Sequence, residues 1–389
     1  MSGSRPVLLA LIPQPPPFGG VAFQASLLLQ SRAFTEAFEV VRLRTNAVRL
    51  AENPDRKHLD LRSVAGALRL AASTLAAAAG TGYSAVYCVA NGDLSFPWVV
   101  DCALASARLR RCPLVLHVHA SRSGFWEWQK QQPSGLAQAS ALRRMISRMG
   151  DRICAGLSSR AAGLIHLSSA IDQRYRSLGW RPADLVLPNS TSVLPSFDPL
   201  RKQPGKLLFL GRISREKGFF DLLEALAGLG PEAGRWELHV AGAVPAGEDH
   251  SEVESAIRSP VFGGRIILHG LARGSEKASL LETCSILVHP THRDVFPMAV
   301  VEAMAAGMAV VSTGVGEIHS IPAADGWAQV GPGDPGSLRA SLENLIADPS
   351  LVARMGASNR AKALAEYEVE VNAGRITRLI LDSIREGGR

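Results

Sequence analysis

Short apolar runs alternate with longer amphipathic stretches along almost the whole chain. Several runs are continuous rather than alternating, which is typical of parallel strands buried on both faces. The helical stretches between them favour βαβ units with right-handed crossovers. The pattern therefore predicts an α/β protein with two doubly wound sheets. The predicted strands are Val7–Ile12, Val86–Ala90, Leu114–Ala120, Gly163–Ser168 and Asp184–Pro188 in one set, and Lys206–Arg212, Trp236–Gly242, Arg265–Gly270, Ile286–Pro290 and Ala309–Thr313 in the other.

The proline-rich stretch from Leu194 to Gly205 separates the two sets and is typical of an interdomain linker. We therefore expect one Rossmann-like domain over residues 1–195 and a second over residues 196–389. The amphipathic helix expected from about residue 365 to the end either packs on the second domain or crosses back to the first.

Composition indicates a compact protein, because 47% of the 389 residues are apolar and 20% are charged. The five cysteines are scattered, which favours reduced thiols in a cytosolic compartment over a disulfide framework or a zinc site. The apolar run Val7–Ile12 is short for a secretory signal. No run is continuously apolar over the roughly 18–20 residues that span a bilayer. We therefore expect a cytoplasmic protein without a transmembrane segment.

The net charge of +7 is unevenly distributed, since residues 1–190 carry 22 Lys and Arg against 11 Asp and Glu. A basic first half favours an anionic partner, either a membrane surface or a phosphorylated acceptor, unless arginine simply decorates the surface. Residues 140–153 form an amphipathic, arginine-rich pattern. It is typical of a helix lying on an anionic membrane and equally of a core-facing helix. No motif indicates nucleic-acid binding.

The segment LFLGRISREKG, residues 208–218, combines a buried strand, a glycine turn and a helix start. Gly211 permits close approach of a ligand to the backbone, where open α/β sheets bind ligands. Arg212 can bind a diphosphate through forked hydrogen bonds and Lys217 as a point charge. The alternative is a surface loop with two exposed cations.

The segment HPTHRDVFPMAVVEAMAAGMAV, residues 289–310, predicts a strand, a loop with Asp294 and a helix that begins near Pro297 and Met298. Free backbone N–H groups at a helix start bind anions. Glu302 lies about one and a half turns into the helix, where its carboxylate can accept from ribose hydroxyls. Asp294 is then left for a sugar hydroxyl.

These two segments resemble the retaining glycosyltransferases of family 4, which have the GT-B fold. The resemblance runs from about Leu207 to Gly333 and includes VGPGDP. Weaker likenesses lie in FGGVAFQ with Gly19 and Gly20, in VLHVHA with His119, and in LVLPNST around Asn189. It implies two Rossmann-like domains that face a central cleft, the first binding the acceptor and the second the donor.

The resemblance also implies a role for each matching residue. Arg212 and Lys217 would hold the donor diphosphate, and Glu302 would bind ribose. Asp294 would contact the transferred sugar, and His119 would lie near the reacting centre. Backbone groups would come from three segments: Gly19 and Gly20 in the first glycine turn, Gly211 in the second, and Phe296, Pro297, Met298 and Ala299 at the helix start.

The sequence departs from the family pattern in three places. Asp294 stands where the family usually has Glu, Val295 where it usually has Gly, and His319-Ser320 where it often has Pro-Glu. We expect His117 and His119 to point to opposite faces of their strand, with His119 as the ligand-binding one. Trp126 and Trp128 fit an acceptor wall, a core or a membrane edge equally well.

We expect a transferase that uses a nucleotide-diphosphate sugar, needs no cofactor, and needs no metal because the chain has no D-x-D motif. The favoured acceptor is a lipid-linked sugar or a cell-surface polysaccharide at an anionic membrane. Two alternatives remain open: transfer to a soluble small molecule or natural product, and nucleotide-sugar binding without transfer.

Overall fold

The computed structural model describes residues 4–14, 20–45, 61–80, 82–90, 96–119, 141–192, 197–230, 235–244, 250–294 and 296–387. In these ranges the chain forms two six-stranded sheets, and every strand pairing within them is parallel. Contacts group Met1–Ser190 with Val369–Arg389 in a first unit, and Thr191–Glu368 in a second.

The first unit has the strand order β2-β1-β3-β4-β5-β6. Its strands are β1 (Val7–Ile12), β2 (Glu39–Arg44), β3 (Ala85–Ala90), β4 (Leu114–Val118), β5 (Gly163–His166) and β6 (Leu185–Val186). The helices between them are α1 (Gly20–Gln30), α2 (Arg32–Ala37), α3 (Leu61–Gly80), α4 (Phe96–Arg110), α5 (Ala141–Ser158) and α6 (Ser169–Ser177). Strands β3 and β4 are wholly buried, as their unbroken apolar runs require.

The second unit has the strand order β12-β11-β10-β7-β8-β9. Its strands are β7 (Gln203–Leu210), β8 (Glu237–Ala241), β9 (Ile266–Gly270), β10 (Cys284–His289), β11 (Ala309–Thr313) and β12 (Trp327–Val330). Its helices are α7 (Phe219–Ala227), α8 (His250–Ile257), α9 (Gly274–Thr283), α10 (Met298–Ala305), α11 (Pro335–Ala347) and α12 (Pro349–Glu366). The chain reverses its winding between the adjacent central strands β7 and β10, a topological switch point of the kind at which open α/β sheets bind ligands.

The last helix, α13 (Val369–Gly387), packs on α1 and α2 and against β3, β4 and β5 of the first sheet. Its Glu370 carboxylate accepts from the backbone N–H groups of Arg32 at 2.8 Å and Ala33 at 3.0 Å, which satisfies donors at the start of α2. Asn372 donates to Ser190 Oγ at 3.1 Å. These contacts fix α13 in the first unit, after the chain has completed the second.

Each of the ten predicted strands overlaps an observed one, and the sequence pattern missed β2 and β12. Both missed strands lie at a sheet edge and are largely half-buried, so neither carries a continuous apolar run. The segment Leu194–Gly205, expected to be a linker, contributes the start of β7 at Gln203. All five cysteines are free thiols. Among the described helices, none is both long enough and apolar enough to cross a bilayer.

Candidate functional site

The loops that follow β7 and β10 start from neighbouring strands at the carboxyl edge of the second sheet. The β7–α7 loop carries Gly211, Arg212 and Lys217, and the β10–α10 loop carries Asp294. These residues come together because their loops begin at the carboxyl ends of two adjacent, parallel, buried strands. The switch point therefore brings the two most specific motifs of the chain side by side.

Glycines let these loops approach other backbone segments closely. Gly218 has φ of +69°, and a Cβ there would lie 1.9 Å from the carbonyl oxygen of Pro290. A Cβ on Gly242 would lie 1.7 Å from the carbonyl oxygen of Gly211. A side chain at position 218 or 242 would therefore force the backbone apart. Gly211 has φ of +152° and open space above it, so its own requirement is conformational.

Hydrogen bonds hold the two loops against each other. The backbone N–H of His292 and the Thr291 hydroxyl both donate to the carbonyl of Glu216, at 2.9 and 3.3 Å. The His292 Nε2 atom lies 2.5 Å from Asp221 Oδ2 on α7. One loop cannot shift without moving the other.

Lys217, Asp294 and His289 form the charged centre of this arrangement. Lys217 Nζ lies 2.7 Å from Asp294 Oδ2 and donates to the Arg293 carbonyl at 2.9 Å. His289 Nε2, at the end of β10, lies 3.5 Å from the same Asp294 oxygen. Burial acts to raise the pKa of Asp294, but the neighbouring His289 imidazole and the Lys217 ammonium group outweigh it and hold that pKa well below its usual value. Asp294 is therefore an ionised acceptor.

Arg212 stands at the open side of the β7–α7 loop. Its Nη2 lies 3.2 Å from Glu216 Oε1, and 51% of its side chain is exposed. A guanidinium has five N–H donors in a fixed fork. An accessible Arg212 can therefore bind an anion while it still donates to Glu216.

Helix α10 begins at Met298, with Pro297 as its N-cap residue. The N–H groups of the first turn have no partner inside a helix, which makes the segment from Pro297 to Ala299 suited to an anion. Phe296 is buried and packs edge-on against Tyr367, with ring centroids 6.3 Å apart. This contact anchors the residue before the helix start.

Glu302 is buried within α10, and only 8% of it is exposed. Lys277 on α9 places Nζ 2.7 Å from each of its two carboxylate oxygens. Burial raises the pKa of Glu302, and the Lys277 charge and hydrogen bond act against that increase. Lys277 and His289 have no role in the sequence-based prediction. Lys277 lies outside both ligand-binding segments, and His289, the first residue of the segment 289–310, was expected only as part of its strand.

In the first unit, His119 directly follows β4 and is buried beside Asn189. Burial lowers the pKa of His119 to about 3, although the Asn189 side chain acts in the opposite direction. Neither ring nitrogen of His119 makes a well-formed hydrogen bond within the described ranges. His119 is therefore a neutral imidazole whose buried polar atoms can still take a ligand.

The expectation that His117 and His119 point to opposite faces was wrong. Their ring centroids lie 4.1 Å apart, because residues two positions apart along a strand share a face. In His117, Nδ1 lies 2.8 Å from the Tyr87 hydroxyl, whereas Nε2 has no hydrogen-bond partner within the described residues.

The glycine loop of the first unit is described only in part. Gly20 begins α1, and a Cβ there would meet nothing within 4 Å. Gly19, Trp126 and Trp128 lie outside the described residues. Within the described ranges, no group of three or more His, Cys, Asp or Glu side chains is arranged to hold a metal ion.

Residues 195–362, which lie within the second unit, match the family model described as glycosyl transferases group 1. At the level of that group, the match confirms the resemblance seen in the two motifs of this unit. The narrower assignment to family 4 stays a prediction.

Two curated proteins are similar to most of the chain. One is 2-deoxystreptamine glucosyltransferase of Streptomyces kanamyceticus, 24% identical over 71% of this chain and 72% of that protein. The other is glycogen synthase of Mycobacterium tuberculosis, 22% identical over 73% of this chain and 66% of that protein.

Solved structures share the fold across almost the whole chain. Sucrose-phosphate synthase from Thermosynechococcus elongatus has a TM-score of 0.73 at 18% identity, covering 98% of this chain and all of that one. HepE from Anabaena in complex with UDP has a TM-score of 0.66 at 18% identity, covering 97% of this chain and all of that one. These likenesses confirm the predicted GT-B fold with two Rossmann-like domains.

The partly buried pair Lys217–Asp294 makes a prediction for stability. Lys217→Met leaves a partly buried carboxylate without its cation, so we expect the free energy of unfolding to fall by about 2 kcal/mol at neutral pH. Because the pKa of Asp294 is depressed, the stabilisation is complete above about pH 4 and is lost as the pH falls further. The difference in the free energy of unfolding between wild type and Asp294→Asn should therefore become smaller below about pH 4. Urea unfolding followed by tryptophan fluorescence gives the measurement.

The exposed pair Arg339–Glu343 provides the control, with its charged atoms 3.9 Å apart. Glu343→Gln should change the free energy of unfolding by less than about 0.5 kcal/mol. The Lys217→Met/Asp294→Asn double variant should lose less stability than the sum of the single variants. Strictly additive losses would show that the two groups do not stabilise each other.

Proposed function

We propose that the chain is a retaining glycosyltransferase of family 4 that moves a sugar from a nucleoside-diphosphate donor to an acceptor hydroxyl. The observation that carries the proposal is the pairing of Lys217 with the ionised Asp294 at the switch point, at 2.7 Å. This pairing puts a cation for phosphate and an acceptor for sugar hydroxyls in one place. It lies within the segment that matches the glycosyl transferases group 1 model.

Each part of the donor has a counterpart in the second unit. Arg212, Lys217 and the first turn of α10 would bind the diphosphate, which carries most of the negative charge. Glu302 would accept from ribose hydroxyls, and Asp294 from hydroxyls of the transferred sugar. HepE, a fold neighbour, was solved with UDP and with UDP-glucose. We therefore propose a uridine-diphosphate sugar as the first donor to test.

The proposed reaction needs no protein nucleophile. The bond between the anomeric carbon and the donor phosphate oxygen breaks, and its electron pair leaves with the diphosphate. The acceptor oxygen attacks from the same face, and its proton passes to the departing phosphate. Arg212, Lys217 and the α10 amides stabilise the charge that develops on the diphosphate, so catalysis is positioning plus electrostatics. Protein cations would take the place of a divalent metal.

His119 suits the sugar-binding end of such a reaction. A neutral imidazole has one N–H donor and one acceptor nitrogen, and can therefore bind a sugar hydroxyl without adding charge. We propose that His119 orients the donor sugar and that the first unit binds the acceptor.

The proposed acceptor is a lipid-linked sugar or surface polysaccharide, and α5 supports this choice. Met149 and Ile153 on α5 are 58% and 49% exposed, and Arg152 is exposed beside them. Helix α4 packs against α5 and exposes Leu109. Exposed apolar side chains beside an exposed arginine suit an anionic membrane surface. The proposal places the enzyme in the cytoplasm, at the inner face of that membrane.

A soluble acceptor is the second candidate. The relative from Streptomyces kanamyceticus is a 2-deoxystreptamine glucosyltransferase, whose name identifies a small-molecule acceptor. This candidate predicts turnover without lipid. A third candidate, donor binding without transfer, rests on Asp294 in place of the usual glutamate. It predicts bound donor with neither transfer nor slow donor hydrolysis.

Arg212→Ala tests the transfer mechanism. Loss of one group that stabilises the leaving diphosphate should lower kcat by about 10²–10³-fold. Arg258→Ala is the matched control, because Arg258 also pairs with a glutamate four residues away, Glu254, and lies on the surface of the second unit. The rate of release of nucleoside diphosphate from UDP-sugars, with chelator present, gives the measurement. An Arg212→Ala rate equal to that of the control would refute the mechanism.

The membrane part is tested by sedimentation with liposomes of phosphatidylglycerol and phosphatidylcholine. Wild type should bind the anionic vesicles at low salt and lose binding as the salt concentration rises. Met149→Gln/Ile153→Gln should weaken binding on the order of ten-fold, by removing two apolar contacts. Leu364→Gln, which changes an exposed apolar residue of the second unit, should have no effect. Equal binding by all three proteins would remove α5 from the proposed surface.

A further inference from the structure

Lys277 extends from α9 towards α10 and reaches the buried carboxylate of Glu302. Its Nζ lies 2.7 Å from Oε1 and 2.7 Å from Oε2, so one ammonium group bridges both oxygens. The Lys277 side chain is 28% exposed, whereas that of Glu302 is 9% exposed. The pair therefore spans from the surface to the interior, with the acceptor at the inner end.

The bridging geometry leaves lone pairs of the carboxylate that Lys277 does not use. An ionised carboxylate offers about four lone-pair positions, two on each oxygen. Lys277 uses one position on each oxygen, which leaves one on each for a second donor. A ribose carries two adjacent hydroxyls, and these match the two remaining positions in number.

We propose that Lys277 is a positioning residue for the donor nucleotide, holding Glu302 ionised and oriented so that the ribose 2′- and 3′-hydroxyls can donate to it. The inference rests on the proposed function, in which Glu302 is the ribose acceptor, and adds the residue that makes this acceptor work.

Burial is the reason why such a residue is needed. A carboxylate in a low-dielectric interior tends to take up a proton, and a protonated Glu302 would lose half of its acceptor character. Burial indeed raises the pKa of Glu302, and Lys277 supplies the charge and hydrogen bond that oppose the increase.

The other charged groups around α10 act elsewhere. On α12, the Arg360 guanidinium donates to the carbonyl of Ala305, at the far end of α10. On β10, His289 faces Asp294 at 3.5 Å. Within the described residues, Lys277 is the group whose charge and hydrogen bond lower the pKa of Glu302.

The test compares binding of UDP and of 2′,3′-dideoxy-UDP by titration calorimetry. The proteins are wild type, Lys277→Met, Lys277→Arg, Glu302→Gln and the Lys277→Met/Glu302→Gln double variant. Thermal melting of each protein checks that it is folded. The dideoxy probe lacks both hydroxyls, so a change that acts through the ribose contact should affect UDP alone.

We expect Lys277→Met to weaken UDP binding about 10- to 100-fold at about pH 6, as the loss of hydrogen bonds to a charged group predicts. Because the variant raises the pKa of Glu302 further, this loss should shrink as the pH rises towards about 9. Binding of the dideoxy probe should not change, and Lys277→Arg should keep most of the affinity. The double variant should bind UDP no more weakly than Glu302→Gln alone.

The outcomes separate this inference from the proposed function. If Glu302→Gln weakens UDP binding and Lys277→Met does not, the ribose contact stands and the role of Lys277 is wrong. A Lys277→Met loss that is the same for both probes, or independent of pH, would also overturn it. If Glu302→Gln binds UDP as wild type does, the ribose role of Glu302 in the proposed function fails.

Discussion

Two carboxylates at the carboxyl edge of the second sheet are largely removed from water, and each of them is paired with a lysine. Asp294 faces Lys217 at 2.7 Å, and Glu302 faces Lys277 at the same distance. A buried unpaired carboxylate costs several kcal/mol, so each pair constrains where α9, α10 and the β7–α7 loop can lie. On Glu302 the pairing leaves lone pairs that Lys277 does not use, and a polyhydroxylated ligand requires such acceptors.

The fold was largely predictable, because its central strands are buried on both faces and therefore carry continuous apolar runs. The ten predicted strands all exist, and the two that were missed, β2 and β12, are edge strands whose mixed sequences follow from partial exposure. The pattern around residue 365 left open where the last helix packs. Helix α13 packs in the first unit through long-range contacts, such as Glu370 with the start of α2, that no local pattern encodes.

The candidate site was predictable only where glycine and charge lie together at a strand end. The loops that carry Gly211, Lys217 and Asp294 begin directly after β7 and β10. Because these strands are neighbours, topology alone brings the loops together. Lys277 was not foreseen, because it lies in the middle of α9 and only three-dimensional packing shows that it reaches Glu302. His117 and His119 show a different case: strand geometry puts them on one face. The Tyr87 hydroxyl then contacts one ring nitrogen of His117, whereas neither ring nitrogen of His119 makes a well-formed hydrogen bond within the described residues.

The central claim is that the second unit binds a nucleoside-diphosphate sugar without a metal ion. The most direct measurement is thermal stabilisation by a panel of UDP-, GDP- and ADP-sugars in the presence of a chelator, on wild type and Glu302→Ala. A donor present at about 100 times its dissociation constant should stabilise wild type by about 2.7 kcal/mol and the variant by clearly less. If no donor stabilises wild type, or if both proteins respond equally, Glu302 and its surroundings do not form the donor site.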